Sequence, residues 1–262
     1  MKLRWSVALC IVLAVSIGRA QAPSTTTVMA TGGPIVITAL GHASVQIEQG
    51  GKVIIVDPVA MMADLSKAKP ADLILVTDIH GDHFDADAVA KLRKPGAPVV
   101  VPQAVADMKK IPNPTIMMNA TMRTNEQSLA GITVIAVPAY NVQRGPAPGQ
   151  FYHPRGRGQG YVLAFSDKLA AVRQKQAGQV YIAGDTECVP AMTTWVTDVD
   201  VALMPMNLPY TMTPAEAAAC VKDFKPKMVI PYHYMGQNPQ EFADALKGSP
   251  IEVRLLNWYP KS

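Results

Sequence analysis

The sequence predicts an α/β fold of two sheets with helices on their outer faces, and three observations carry that reading. Short β-type segments come in runs rather than in strict alternation with helices. Several of these segments are apolar at every position, as strands covered on both faces are. No low-complexity linker divides the chain after residue 34, so residues 34–262 read as one domain.

The segments follow in order. Residues 1–22 read as a secretory signal: Lys2 and Arg4 give a positive start, "WSVALCIVLAVSI" a short apolar stretch, and "AQA" a small-residue cleavage site. The stretch is shorter than the roughly 20 residues a membrane span needs. The polar segment 23–33 reads as a loosely held leader. Strands follow at 35–40, 44–48 and 53–57, the last two joined by a Gly-Gly hairpin signal in "EQGGK". Further strands are expected at 72–77, 98–102, 132–139, 160–165, 179–185, 200–205 and 228–234. Helices are expected at 86–94 behind an Asp85 cap and at 103–110. Those at 213–224 and 238–247 open with "TPAE" and "NPQE", each a cap, a proline at the first helical position and a glutamate in the first turn.

Of the 262 residues 49% are hydrophobic and 17% charged, which excludes disorder. The formal charge is +4, but Lys2, Arg4 and Arg19 belong to the signal. Removing them leaves 21 basic against 20 acidic residues, a net of +1. A generic nucleic-acid surface, and with it a nuclease reading, is disfavoured. The expected location is periplasmic or secreted, with no membrane span after cleavage. Beyond the signal, Cys188 and Cys220 read as two independent buried thiols, with a disulfide as the alternative.

The chemistry concentrates in "VTDIHGDHFD", residues 76–85, two histidines and three carboxylates directly behind an apolar strand. Alternation along an extended chain puts Asp78, His80 and Asp82 on one side, and Gly81 lets the backbone turn so that His83 swings back. "YIAGDTE" sets Asp185 after another strand, and "VIPYHY" ends a third on His233. Mixed imidazole and carboxylate donors suit zinc, iron or manganese. The sequence has no G-x-S-x-G, and none of its cysteines adjoins a histidine, so no protein nucleophile is needed.

In that order, "GHAS" (41–44), "DP" (57–58), "TDIHGDH" (77–83), "AGDT" (183–186) and "PYHY" (231–234) resemble the metallo-β-lactamase-fold superfamily. The likeness is to its branch of metal-dependent hydrolases related to ascorbate-phosphate lactonase and N-acylethanolamine-phospholipid phospholipase D. It spans about residues 34–256. The resemblance implies a four-layer αββα sandwich with one or two metals at the sheet edges. It implies His80 in the first metal site, Asp82, His83 and His233 in the second, and Asp185 as the bridge.

Two departures stand out. The signature of that family reads His-x-His-x-Asp-His, and its leading position here is Asp78, whose carboxylate oxygen is still expected to ligate. The other first-site histidine, expected after "ITVIAVPA", is replaced by Tyr140. One tight metal, zinc first and manganese or iron as alternatives, and a second that is weaker or absent are therefore expected. Asp82, or Asp78 where it is the less tightly ligated, is the expected proton acceptor, Tyr140 an oxyanion donor, and His42 the residue that orients the site. The irregular segment 142–161 carries Arg144, His153, Arg155 and Arg157 and is expected to overhang the cleft. From it Arg144, His153 and Arg155, with Asn207 from the loop after 200–205, are expected to bind a small, anionic substrate. The function expected is an exported hydrolase acting on a small ester, lactone or phosphoester through a metal-activated water. The alternative is a non-catalytic metal-binding protein with an eroded first site.

Overall fold

The computed structural model describes residues 24–117 and 126–260. The segment read as a secretory signal lies outside them. No helix among the described residues is long and apolar enough to cross a membrane.

Among the described residues, fourteen strands form two seven-stranded sheets, each in sequence order. The first contains β1 (Thr25–Ala30), β2 (Gly33–Gly41), β3 (Ser44–Gln49), β4 (Lys52–Val56), β5 (Leu73–Leu75), β6 (Val99–Val101) and β7 (Thr115–Ile116). The second contains β8 (Glu126–Leu129), β9 (Ile132–Ala139), β10 (Gly158–Ala164), β11 (Gln179–Ile182), β12 (Val201–Pro205), β13 (Met228–Tyr232) and β14 (Glu252–Val253). Each sheet begins as an antiparallel meander and ends in parallel strands. The parallel strands need crossovers, which α1 (Ala86–Leu92) and α2 (Gln103–Asp107) supply in the first sheet. In the second, α4 (Pro190–Trp195), α5 (Pro214–Phe224) and α6 (Pro239–Ala245) do so, and α3 (Leu169–Arg173) joins β10 to β11.

The continuously apolar strands are buried on both sides, as their composition requires. In β4, Ile54 and Val56 face the other sheet while Val53 and Ile55 face the helices; in β12, Val201 and Leu203 point inward and Ala202 and Met204 toward the helices. One core thus lies between the sheets, and one lies under each helical layer. The four-layer αββα sandwich expected from the resemblance is the architecture found.

Local signals are realised. Gly50 and Gly51, at φ +58° and +78°, turn the β3–β4 hairpin. The Asp85 carboxylate accepts from Asp87 N and Ala88 N at the start of α1, and Thr213 and Glu216 form a reciprocal capping box on α5.

Two expectations are corrected. Residues 25–30 are not a loose leader but an edge strand in register with β2, Thr25 opposite Thr38 and Ala30 opposite Gly33. Three consecutive threonines are β-branched strand formers, whatever their polarity. Cys188 and Cys220 are not separate thiols but a disulfide, Cα atoms 5.6 Å apart, tying the loop before α4 to α5.

The chain leaves the ends of β2, β4, β5, β9, β11 and β13 at His42, Asp57, Thr77–His83, Asn141, Asp185 and His233. The functional side chains therefore gather where the two sheets present the C-terminal ends of their strands.

Candidate metal centre

Asp185 is the meeting point. Gly184, at φ +67°, turns the chain at the end of β11 and leaves no room for a side chain: a Cβ there would lie 3.1 Å from Gln159 O and 3.2 Å from Thr77 Cβ. Asp185 is buried. Its Oδ2 lies 3.1 Å from His153 Nε2 and 3.3 Å from His83 Nε2, and its Oδ1 lies 3.7 Å from His233 Nε2.

Behind β5 the chain does not stay extended. His83 N and Phe84 N both donate to His80 O, at 3.0 and 2.9 Å, closing a turn over Gly81. That turn separates the carboxylates that simple alternation would align. Asp78 and His80 fall in with His153, while Asp82 falls in with His42 and His233; within each trio the donor atoms lie within 4.8 Å of one another. A third such trio is His83, Asp185 and His233.

The supports fix ring orientation. Asp57 is wholly buried at the end of β4, and its Oδ2 lies 2.7 Å from His83 Nδ1. The same carboxylate accepts from Thr77 Oγ1 and Thr77 N. Burial pushes the Asp57 carboxyl up from its ordinary range. For His83 burial acts downward, but Asp185 and Asp57 outweigh it and hold the ring well above its ordinary value. The position attracts positive charge strongly. With Nδ1–H donated to Asp57, the Nε2 edge of His83 faces Asp185.

On the other flank, His42 Nε2 donates to Asp82 Oδ2 at 3.1 Å, and Nδ1 meets the Tyr259 hydroxyl at 2.8 Å. Burial keeps the Tyr259 phenol protonated and lowers His42, so the ring is neutral and accepts from Tyr259. Burial alone would raise Asp82; hydrogen bonds from His233, at 3.3 Å, and from His42 outweigh it and hold the carboxyl well below its ordinary range. His42, Asp57 and His233 all have positive φ, +49°, +46° and +48°. Such backbone costs on the order of 1–2 kcal/mol per residue, and three cases at one locus mark a site where geometry outweighs relaxation.

A dication fits the Asp82, His83, Asp185 and His233 set. Both His83 Nε2 and Asp185 Oδ1 are buried without a hydrogen-bond partner. Two carboxylates and two imidazoles around such orphaned atoms are a complete zinc-type donor set, and an acceptor on His83 carries the carboxylate support usual behind a ligating histidine.

Residues 36–233 match the family described as the beta-lactamase superfamily domain. The chain belongs to the β-lactamase superfamily. Among its relatives is a UPF0173 metal-dependent hydrolase of Thermococcus kodakarensis, 34% identical over 229 residues, covering 83% of this chain and 94% of that protein. A UPF0173 metal-dependent hydrolase of Thermococcus onnurineus is 33% identical over 226 residues, with 83% and 94% covered. A solved structure from Parabacteroides distasonis aligns with TM-score 0.77 and 34% identity over 90% of this chain and 99% of the other. Within the β-lactamase superfamily this chain falls on the metal-dependent hydrolase branch.

Against the superfamily pattern, the loop after β9 holds the corrections. The third donor of the Asp78 and His80 group is His153, expected to bind substrate. Tyr140, expected to stand in that place and donate to an oxyanion, sits half-buried against the helix-side core under the guanidinium of Arg155, 5.3 Å from its ring. His153 is fixed by Asn141, whose Oδ1 accepts from both His153 N, at 2.7 Å, and Nδ1, at 2.8 Å. Arg144, also expected at the substrate, forks between Glu187 Oε1 and Glu216 Oε2, 2.6 Å from each, and straps the loop to α5. Asn207 is buried at the turn after β12, its carbonyl accepting from Tyr210 N and Thr211 N. Arg155 is exposed on the rim. Sequence reasoning missed Tyr259, Asn141 and the role of Asp57; only Asp57 carried a signal, in the "DP" after a strand.

Proposed function

We propose that the chain is an exported hydrolase that uses one zinc ion, held by Asp82, His83, Asp185 and His233, to cleave a small ester, lactone or phosphoester. The observation that carries this reading is the convergence of His83 and His233 on the buried Asp185, at 3.3 and 3.7 Å. A dication bound there lowers the pKa of coordinated water from about 15.7 toward 7 and polarises a carbonyl or phosphoryl oxygen.

The remaining roles belong to the chain's own groups. Asp82 is the most open carboxylate of the set, with 31% of its side chain exposed, and is placed to accept the proton of the attacking water. His42 Nε2–H holds Asp82 Oδ2 in position, and Tyr259 fixes the tautomer that lets it do so. Asp57 and Thr77 hold His83; Asn141 holds His153. Among the described residues, the two cysteines are tied up in the Cys188–Cys220 disulfide.

The rim suits a substrate with a small apolar part and a negative group. Val142, Phe151, Leu208 and Tyr210 are exposed on the two loops that border the site, and Arg155, exposed on the first of them, lies over the Tyr140 ring. Asn141 Nδ2 donates to Tyr210 O, and the Tyr152 and Tyr210 rings meet at 5.0 Å, so the two loops form one wall. Export, to the periplasm or outside the cell, is supported by residues 1–22.

The test is a panel of model esters, lactones and phosphodiesters against the zinc-loaded protein and His83→Ala. Turnover of one class by the parent, reduced at least a thousand-fold in the variant, supports the hydrolase. Equal inertness of both would favour the non-catalytic metal-binding reading. Elemental analysis of protein from its native compartment decides between zinc, manganese and iron.

A further inference from the structure

Arg157 lies just before β10, in the last turn of the loop that delivers His153. One terminal nitrogen of its guanidinium donates to Tyr152 O at 2.5 Å and lies 3.1 Å from His80 Nε2 and 3.5 Å from Asp78 Oδ2. Its Nε is 3.4 Å from Asp78 Oδ1. The two hydrogens of that terminal nitrogen are directed best at Tyr152 O and His80 Nε2, and its longer contact to Asp78 Oδ2 is ionic; Nε is buried without a hydrogen-bond partner, so Asp78 Oδ1 likewise meets the guanidinium as an ion pair. The close approach of this strand end is secured by Gly158, where a Cβ would lie 3.0 Å from Asp78 Oδ2.

We propose that the Arg157 guanidinium is the resident cation of the Asp78 and His80 half of the centre, so that the chain holds a single metal ion, in the other half. The inference rests on the reading of Asp82, His83, Asp185 and His233 as a metal site.

The chemistry of the groups supports it. An arginine stays protonated and has no acceptor, so the contact to His80 Nε2 makes that nitrogen the acceptor. An imidazole nitrogen has one in-plane lone pair, and a lone pair that takes a hydrogen bond is not offered to a metal. The Asp78 carboxylate, buried, has its charge met by the guanidinium. That leaves His153 as the one donor of this half that Arg157 does not engage, and its Nε2 already lies 3.1 Å from Asp185. One imidazole does not hold a structural or catalytic dication. The carboxylate at 78 and the arginine at 157 thereby form a matched pair, a fixed positive charge in the half of the centre that His153 joins to Asp185. From there its remaining terminal nitrogen is the group of that half that meets an anionic or developing negative oxygen on substrate.

Metal counting tests this without recourse to activity. Chelator-stripped full-length mature protein is titrated with cobalt(II), read by visible absorption, and with zinc(II), read by native mass spectrometry. Parent protein and Arg157→Lys, which keeps the cation, are expected to saturate at one equivalent. Arg157→Gln, which frees Asp78 and His80, is expected to take two. Two equivalents bound with similar affinity by the parent would overturn the inference while leaving the metal-centre reading intact. One equivalent in Arg157→Gln, with a circular dichroism spectrum like the parent's, would also overturn it. No metal bound by the parent would remove both this inference and the reading beneath it. The parent count decides by itself should either variant fold poorly.

Discussion

Asp57 Oδ2 and His83 Nδ1 meet at 2.7 Å in a place from which both side chains are wholly shut off from solvent. Asp57 does not reach that contact cheaply, since it adopts a positive φ to do so. The pair turns His83 Nε2 toward Asp185 and makes it a better donor. Asp57→Asn should therefore weaken zinc binding about 10- to 100-fold, the range found for such supporting carboxylates. Competition with a chromophoric chelator measures it; unchanged affinity would show that the pair only packs.

His153 joins the Asp78 and His80 group, where the sequence set Tyr140, and Tyr140 packs away from it. His153→Ala should lower turnover of any substrate found at least 100-fold, because its ring contacts Asp185 and is fixed by Asn141. Tyr140→Phe should change turnover less than threefold, since the ring lies under Arg155 and against the helix-side core. Steady-state kinetics of the two variants on one substrate compares them directly.

The difference between what the sequence revealed and what it concealed follows from distance along the chain. Strands such as 201–205, and 132–139 but for Thr133, are apolar throughout because both faces are covered, and that composition is visible locally. Capping boxes and the Gly50-Gly51 turn are likewise local. All six expected metal donors follow strand ends in short motifs, and each belongs to one of the trios at the centre. Alternation misplaced Asp82 because the turn over Gly81 reverses the chain. His153 was hidden because its loop has no periodicity and its anchor, Asn141, is an unremarkable amide. Tyr259 meets His42 across 217 residues, a contact no local pattern announces. β1 was read as a leader because threonine is polar, although its branching suits a strand.

Arg144 should govern the acid stability of the loop wall. Burial would raise the Glu216 carboxyl, but the hydrogen bonds from Arg144 and Thr213 outweigh it and hold it below its ordinary value. A carboxyl depressed by folding contributes stability above its unfolded pKa and loses it as the pH falls through the folded one. Arg144→Ala should cost about 2 kcal/mol at pH 7, chiefly by leaving the buried Glu187 without its cation, with Glu216 adding less because it is partly exposed. The share that Glu216 contributes should fade below about pH 4, where its carboxyl protonates in the unfolded chain. Urea unfolding at several pH values reads this out.

The Cys188–Cys220 bond closes a loop of sequence separation 32. Constraining the unfolded chain over that length contributes about 3–4 kcal/mol by loop entropy. The double replacement by serine should lower the melting temperature by roughly 10 °C, with metal content unchanged. Thermal melts with and without reductant check the size of the effect.

The central claim is that one dication sits among Asp82, His83, Asp185 and His233. Anomalous diffraction at the zinc edge, on crystals of the metal-loaded protein, tests it most directly. The expected result is a strong peak within coordination distance of His83 Nε2, His233 Nε2 and the Asp185 carboxylate. A map with no peak there, or with its only peak between Asp78, His80 and His153, would contradict the account.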